Sequence, residues 1–183
     1  IATTFSRADG WFKNLTPGKP DLASVREYAV RASLKVEPQD GMSFILRAST
    51  SFQNPYNYGI IAQPEATWRP GLKNDQIESN VSERRQARTY AVALTANIDL
   101  NDTLALTSIT SWDKGRLFFH EDSDGVATQN IEVPYFARAN QIAQDLRLTS
   151  DTGGPFDFIL GAYFNREKVF NESSFQIAND VDL

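Results

Sequence analysis

Apolar and polar residues alternate with a period of two along most of this chain. Only a β-strand sends successive side chains to opposite faces, so the pattern excludes a helical fold. Over 25–37, Tyr28, Val30, Ala32, Leu34 and Val36 fall on one face, with Glu27, Arg31, Ser33, Lys35 and Glu37 on the other. The same reading applies to 42–52, 89–100, 142–150 and 156–164. Residues 103–112 begin with Leu104 and Leu106 on one face and blur at Ser108 and Ile109, where a β-bulge is expected. Residues 1–11 read as the tail of a further strand, which makes about seven strands. The connections alternate in length. Those at 38–41, 100–102 and 151–155 are short and carry turn chemistry such as Pro38 with Gly41, while those at 12–24, 54–86 and 114–138 are long. Long loops therefore gather at one end of the sheet and tight turns at the other, as in outer-membrane barrels with short periplasmic turns and long extracellular loops.

Composition matters here for what it permits. No stretch approaches 18 consecutive apolar residues, which excludes a transmembrane helix. A mean hydropathy of −0.39 does not exclude a membrane β-sheet, because its strands average a lipid face with a wet one. A net charge of −5 argues against nucleic acid as a partner. The absence of cysteine removes disulfide frameworks, thiolate metal sites and thiol nucleophiles. The chain opens at Ile1 without a signal peptide, which reads as a processed product or an internal fragment.

Alternation alone leaves two readings open: a soluble β-sandwich with its apolar face inward, or a wall with its apolar face toward lipid. Strands of about ten residues suit the hydrocarbon core better than the five or six usual in soluble proteins. Aromatics stand where long loops begin or end (Trp11, Tyr28, Phe52, Tyr90, Trp112, Tyr135, Phe136, Phe164), as in an interfacial girdle, and Phe44, Phe156 and Phe158 supply the turn end. Full charges in mid-strand suit a wet lumen and equally a solvated outer face.

Residues 141–150, QIAQDLRLTS, lead through a Gly-Gly-Pro turn into FDFILGAYFNRE at 156–167. This resembles a barrel hairpin of TonB-dependent outer-membrane receptors, which reads roughly QELRLTS followed by PFDWxxGxYY. Asp145 stands in place of the family's Glu, and Phe158 where Trp is common. LTSITSW at 106–112 and SLKVEP at 33–38 are similar to further strands of the family, and the resemblance is sharpest over 104–167. It implies an all-β fold: an antiparallel transmembrane β-barrel, of which this chain holds about seven of about 22 strands. The single domain, 1–183, is then an internal part of that barrel, without the plug or the TonB box. The implied function is TonB-dependent uptake of a scarce nutrient such as an iron–siderophore complex, at the bacterial outer membrane. The implied partners are outer-membrane lipid, TonB through the missing N-terminal part, a small-molecule or metal-chelate ligand, and the rest of the barrel and plug. A passive channel, an adhesin wall and a soluble binding module stand as alternatives.

No catalytic residue is expected. His120, the one histidine, reads as an exposed loop residue with no nucleophile elbow or phosphate loop near it. The acidic run from His120 to Gly125 includes Asp122 and Asp124, but Glu132 lies too far along to close a twelve-residue calcium loop, so it reads as a solvated acidic loop. No cofactor and no metal are expected. Candidate ligand contacts are Arg31, Lys35, Arg47, Asp145, Arg147 and Tyr163 on the polar face, and Tyr56, Tyr58 and Trp68 in the 54–86 connection. The face charges equally serve to solvate the lumen or to pair across strands, and the loop aromatics to pack the loop on itself.

Overall fold

A computed structural model describes residues 1–56, 58–60, 73–82 and 84–178. They form strands and no helix: β1 (Ala2–Ala8), β2 (Lys13–Asn14), β3 (Val25–Gln39), β4 (Met42–Gln53), β5 (Gln76–Ile77), β6 (Gln86–Asn101), β7 (Leu104–Asp122), β8 (Ile131–Ser150), β9 (Ile159–Ser173) and β10 (Gln176–Ile177). The main sheet runs β1-β3-β4-β6-β7-β8, with β9 and β10 both on β8, and every pairing in it is antiparallel. A separate parallel bridge joins β2 to β5.

The sheet is open, and this corrects the expected fold class. β1 occupies one edge and β9 with β10 the other, and no pairing joins them. The described residues are therefore an all-antiparallel β-sheet and not a closed transmembrane β-barrel. Alternation and turn length report only which strands are neighbours. Closure depends on shear and curvature summed over a whole wall, and neither quantity is written in a local pattern.

Each expected strand overlaps a long strand of the sheet, but β7, β8 and β9 run well past their expected ends. The connection expected over 114–138 shrinks to 123–130. Leu117 pairs with Ala137 and Phe119 with Tyr135 inside that supposed loop. His120 is correspondingly a strand residue opposite Pro134, not an exposed loop residue. The expected bulge at Ser108 and Ile109 is also absent. Register is continuous there, and the shifts lie between Val36 and Gln39 and between Asp99 and Asn101, beside the tight turns.

The register sorts side chains into two faces, because directly opposed residues share a face. One row on the apolar face reads Leu34, Leu46, Leu94, Thr110, Gln144, Phe164 across β3 to β9. The blur at Ser108 has its explanation on this face. Thr110 donates to Gln144 (2.6 Å), and Gln144 donates to Ser108 (2.9 Å). Three polar side chains thus satisfy one another within an apolar surface, where each alone would be costly.

The single layer has almost no core. Among the described residues only Leu22, Ile77 and Val81 are buried apolar side chains, and all three lie in the long connections. Leu34, Leu94 and Ile142 remain 59%, 42% and 46% exposed. The chain exposes 12670 Å², against roughly 8,900 Å² for a compact monomer of its mass. An apolar surface of this extent needs a cover that the described residues do not themselves provide.

Candidate ligand face and loop cap

The polar face carries the mid-strand candidates. Arg31 and Lys35 on β3, Arg47 on β4, Asp145 and Arg147 on β8 and Tyr163 on β9 occupy odd register positions and share this face. They fall into two groups separated by β6 and β7. Lys35 and Asp145 nevertheless lie in one cross-sheet row, through Ile45, Thr95 and Ile109, and Tyr163 is directly opposite Asp145. Most of the charges have local partners. Arg147 grips Asp145 with two nitrogens, at 3.0 and 2.7 Å, which occupies the planar fork. Lys35 is 2.7 Å from Glu37, and Arg47 donates to Thr95 at 3.4 Å. Among the described residues Arg31 forms no ion pair or side-chain hydrogen bond, which leaves its guanidinium open to an anionic group. Between the two groups the face is lined by small hydroxyl and amide residues joined across strands: Ser51 with Thr89 (2.6 Å), Asn97 with Ser43 (3.3 Å), and Thr107 with Asn97 (3.1 Å).

At the loop end the connections cap one another. Asn14 is the hub. Its side-chain amide donates to the Ser79 carbonyl (3.0 Å), and its side-chain oxygen accepts from the backbone amides of Thr16 and Ser79 (both 3.1 Å). Asp21 fastens the same segment by accepting from the Asn14 amide and from Lys13 Nζ, each at 3.0 Å. The lysine hydrogen bond, followed by the backbone one, holds the Asp21 carboxyl below its ordinary value. Leu22, Ile77 and Val81 are the buried apolar side chains of these connections. Gly10 has no room for a side chain here, since a Cβ would lie 2.6 Å from the Asp21 carbonyl carbon. Nothing in the sequence near Asn14 marks a partner 65 residues away.

The two described loop aromatics are engaged within the cap. The Arg84 guanidinium sits 3.7 Å over the ring of Tyr56, and the Tyr56 amide donates to Ser24 Oγ (2.7 Å). Tyr58 donates to Glu121 (2.6 Å), a polar-face residue near the end of β7, and that contact raises the phenol pKa. Trp68 lies outside the described residues.

His120 Nε2 is 2.8 Å from Glu132 Oε2, with both side chains largely buried. Glu132 also accepts from Asn80 and Gln129. Asp122 accepts from the amides of Asp124 and Gly125, and Asp124 from those of Val126 and Ile131. These carboxylates hold the 123–130 turn and the base of the cap together. No group of three or more acidic or histidine side chains among the described residues is arranged to hold a metal ion.

No protein-family model matches the sequence, and comparison with curated proteins finds no match. The fold has a counterpart among solved structures. The ferric yersiniabactin uptake receptor FyuA from Yersinia pestis superposes with a TM-score of 0.72 over 96% of this chain, at 17% sequence identity. The chain spans about a quarter of that receptor's length, 27%. At this identity the likeness is one of fold.

Proposed function

We propose that this chain is a wall segment of an outer-membrane ligand-uptake receptor, with its apolar face against lipid and its polar face along the path of a small-molecule or metal-chelate ligand. One observation carries the reading. On the apolar face the limit at which the strands turn to charged or polar side chains is marked by Tyr28 on β3, Phe52 on β4, Tyr90 on β6, Trp112 on β7 and Phe164 on β9, with Phe118, Phe136 and Phe170 standing beyond it. In register, Tyr28 and Phe52 share a row, Tyr90 lies one row toward the turns, Trp112 two and Phe164 three. The limit is a line oblique to the strands, as a planar lipid surface makes on tilted strands with interfacial aromatics. The fold likeness to FyuA supports the same reading.

The finer form of the proposal is active uptake, with TonB acting on a part of the receptor outside this sequence. A passive outer-membrane passage is the second reading, and one observation favours it: the described polar face is lined by residues that pair with one another, leaving mainly Arg31 available, so what is seen is wall rather than a ligand cradle.

These 183 residues contain no cysteine, so each introduced thiol is unique within them. Single cysteines replacing Leu34 or Leu94 on one face, and Ser49 or Ser111 on the other, are placed in the full-length protein in outer-membrane preparations. The first pair should react with a lipid-phase probe and resist a water-soluble maleimide, and the second pair should do the reverse. Equal reaction of all four with the water-soluble reagent would sink the proposal. Ligand accumulation in cells with and without TonB then separates active from passive passage.

A further inference from the structure

Immediately beyond the oblique limit, the apolar face carries basic side chains interleaved with Phe118, Phe136 and Phe170. Arg88 on β6, Lys114 and Arg116 on β7, Arg138 on β8, and Arg166 and Lys168 on β9 all have even register positions on that face. Arg88, Arg116 and Arg138 form one continuous row across three strands, and Lys114, Asn140 and Lys168 form the next. Six of the chain's 18 basic residues thus stand in one belt of a protein whose net charge is −5. Like charges directly opposed across strands destabilise a sheet unless something neutralises them. Among the described residues none of the six forms an ion pair. Glu172, opposite Phe136, lies one row further from the apolar band.

Two adjacent hollows use these side chains. One, of about 580 Å³, is bordered by Arg88, Lys114 and Arg116 with Tyr90 and Trp112. The other, of about 740 Å³, is bordered by Lys114, Arg116, Arg138 and Lys168 with Trp112 and Phe170, and by one carboxylate, Glu167. The guanidinium groups are braced by rings: Arg88 lies 4.8 Å from the Phe52 centroid and Arg138 4.9 Å from that of Phe170. Trp112 is fixed by its donation to Asn140 at 2.7 Å.

We propose that this belt binds the phosphate groups of lipid headgroups at the loop-end surface of the membrane. Guanidinium forks match phosphate oxygens in pairs, and the apolar band directly below accepts the acyl chains of the same molecule. A soluble anion would use the belt but not the band, and an apolar protein partner the band but not the belt. The proposal rests on the reading of the apolar face as the lipid face.

The test is native mass spectrometry of the full-length protein in neutral detergent, with added lipid A, dephosphorylated lipid A or inorganic phosphate. Wild type should retain lipid A and lose the dephosphorylated form. The variant R88Q/K114Q/R116Q/R138Q/K168Q should lose lipid A binding by about tenfold or more, while R31Q/R47Q on the polar face should keep it. If the fivefold variant does not reach the membrane, R116Q/R138Q, with exposed side chains, carries the test with a loss of up to about thirtyfold. Unchanged binding in the belt variants, equal loss in the polar-face variant, or displacement of lipid A by inorganic phosphate would each overturn the proposal. Failure of the wild-type protein to enter detergent or membrane at all would instead overturn the lipid-face reading beneath it.

Discussion

Single residues reveal which contacts are structural. Gly41 has φ +72° in the β3–β4 turn, and a Cβ there would lie 3.0 Å from Asp99 Oδ2. Gly41→Ala should cost about 1–2 kcal/mol, whereas Gly115→Ala, with open space around it, should be nearly neutral; denaturant midpoints compare them. Asp21 makes the loop cap acid-sensitive. Its carboxyl is held below the ordinary value near 3.8 in the folded protein, so the stabilisation it provides is complete above that range and lost as pH falls through the folded value. The amide shift of Asn14, which donates to Asp21, should titrate below an ordinary carboxylate, and Lys13→Met should bring the midpoint back up. A midpoint unmoved by Lys13→Met would contradict the assigned cause. The Ser108–Thr110–Gln144 chain offers a third test. Gln144→Ala strands two hydroxyls and should cost about 1–2 kcal/mol, while S108A/T110V/Q144L together should be close to neutral.

At the scale of elements, the two faces of one strand pair should respond differently to charge. Leu94→Arg on the apolar face should destabilise the inserted protein by about 2–4 kcal/mol. Ser111→Arg, on the polar face of neighbouring β7 opposite Ala93 and Ala143, should cost under about 1 kcal/mol. Similar losses at both sites would mean that both faces meet the same solvent. The outer halves of β7 and β8 carry strand ends that patterning does not mark. From Asp113 to Asp122 charged residues fall on both faces. Charge on both faces erases the period-two contrast although the backbone ladder continues. Pairing over 104–122 sustains these strands where patterning no longer announces them.

For the whole molecule, the shortened connection changes the expected protease map. Cleavage at the cell surface should concentrate within 123–130 and spare 114–122, 131–138 and the turn at 40–41. Cuts at 40–41 on intact cells would invert the orientation. Among the described residues the open sheet leaves β1 and β9 with unpaired edges, each able to accept a further strand.

Sequence alone determined the strands, their alternating faces and the tight turns around Gly41, Asn101 and Gly153. Those properties depend on neighbours in the chain and on a period of two. Of the aromatics expected at the loop ends, Tyr135 falls on the opposite face and Trp11 outside the strands. Three further features needed the tertiary structure. One is the absence of closure. Another is the satisfaction of Ser108 and Thr110 by Gln144, which sequence registered only as a blur. The third is the assembly of Arg88, Arg116 and Arg138 into one row. Each depends on register between segments tens of residues apart, and register comes from the ladder of backbone hydrogen bonds, which no single strand contains.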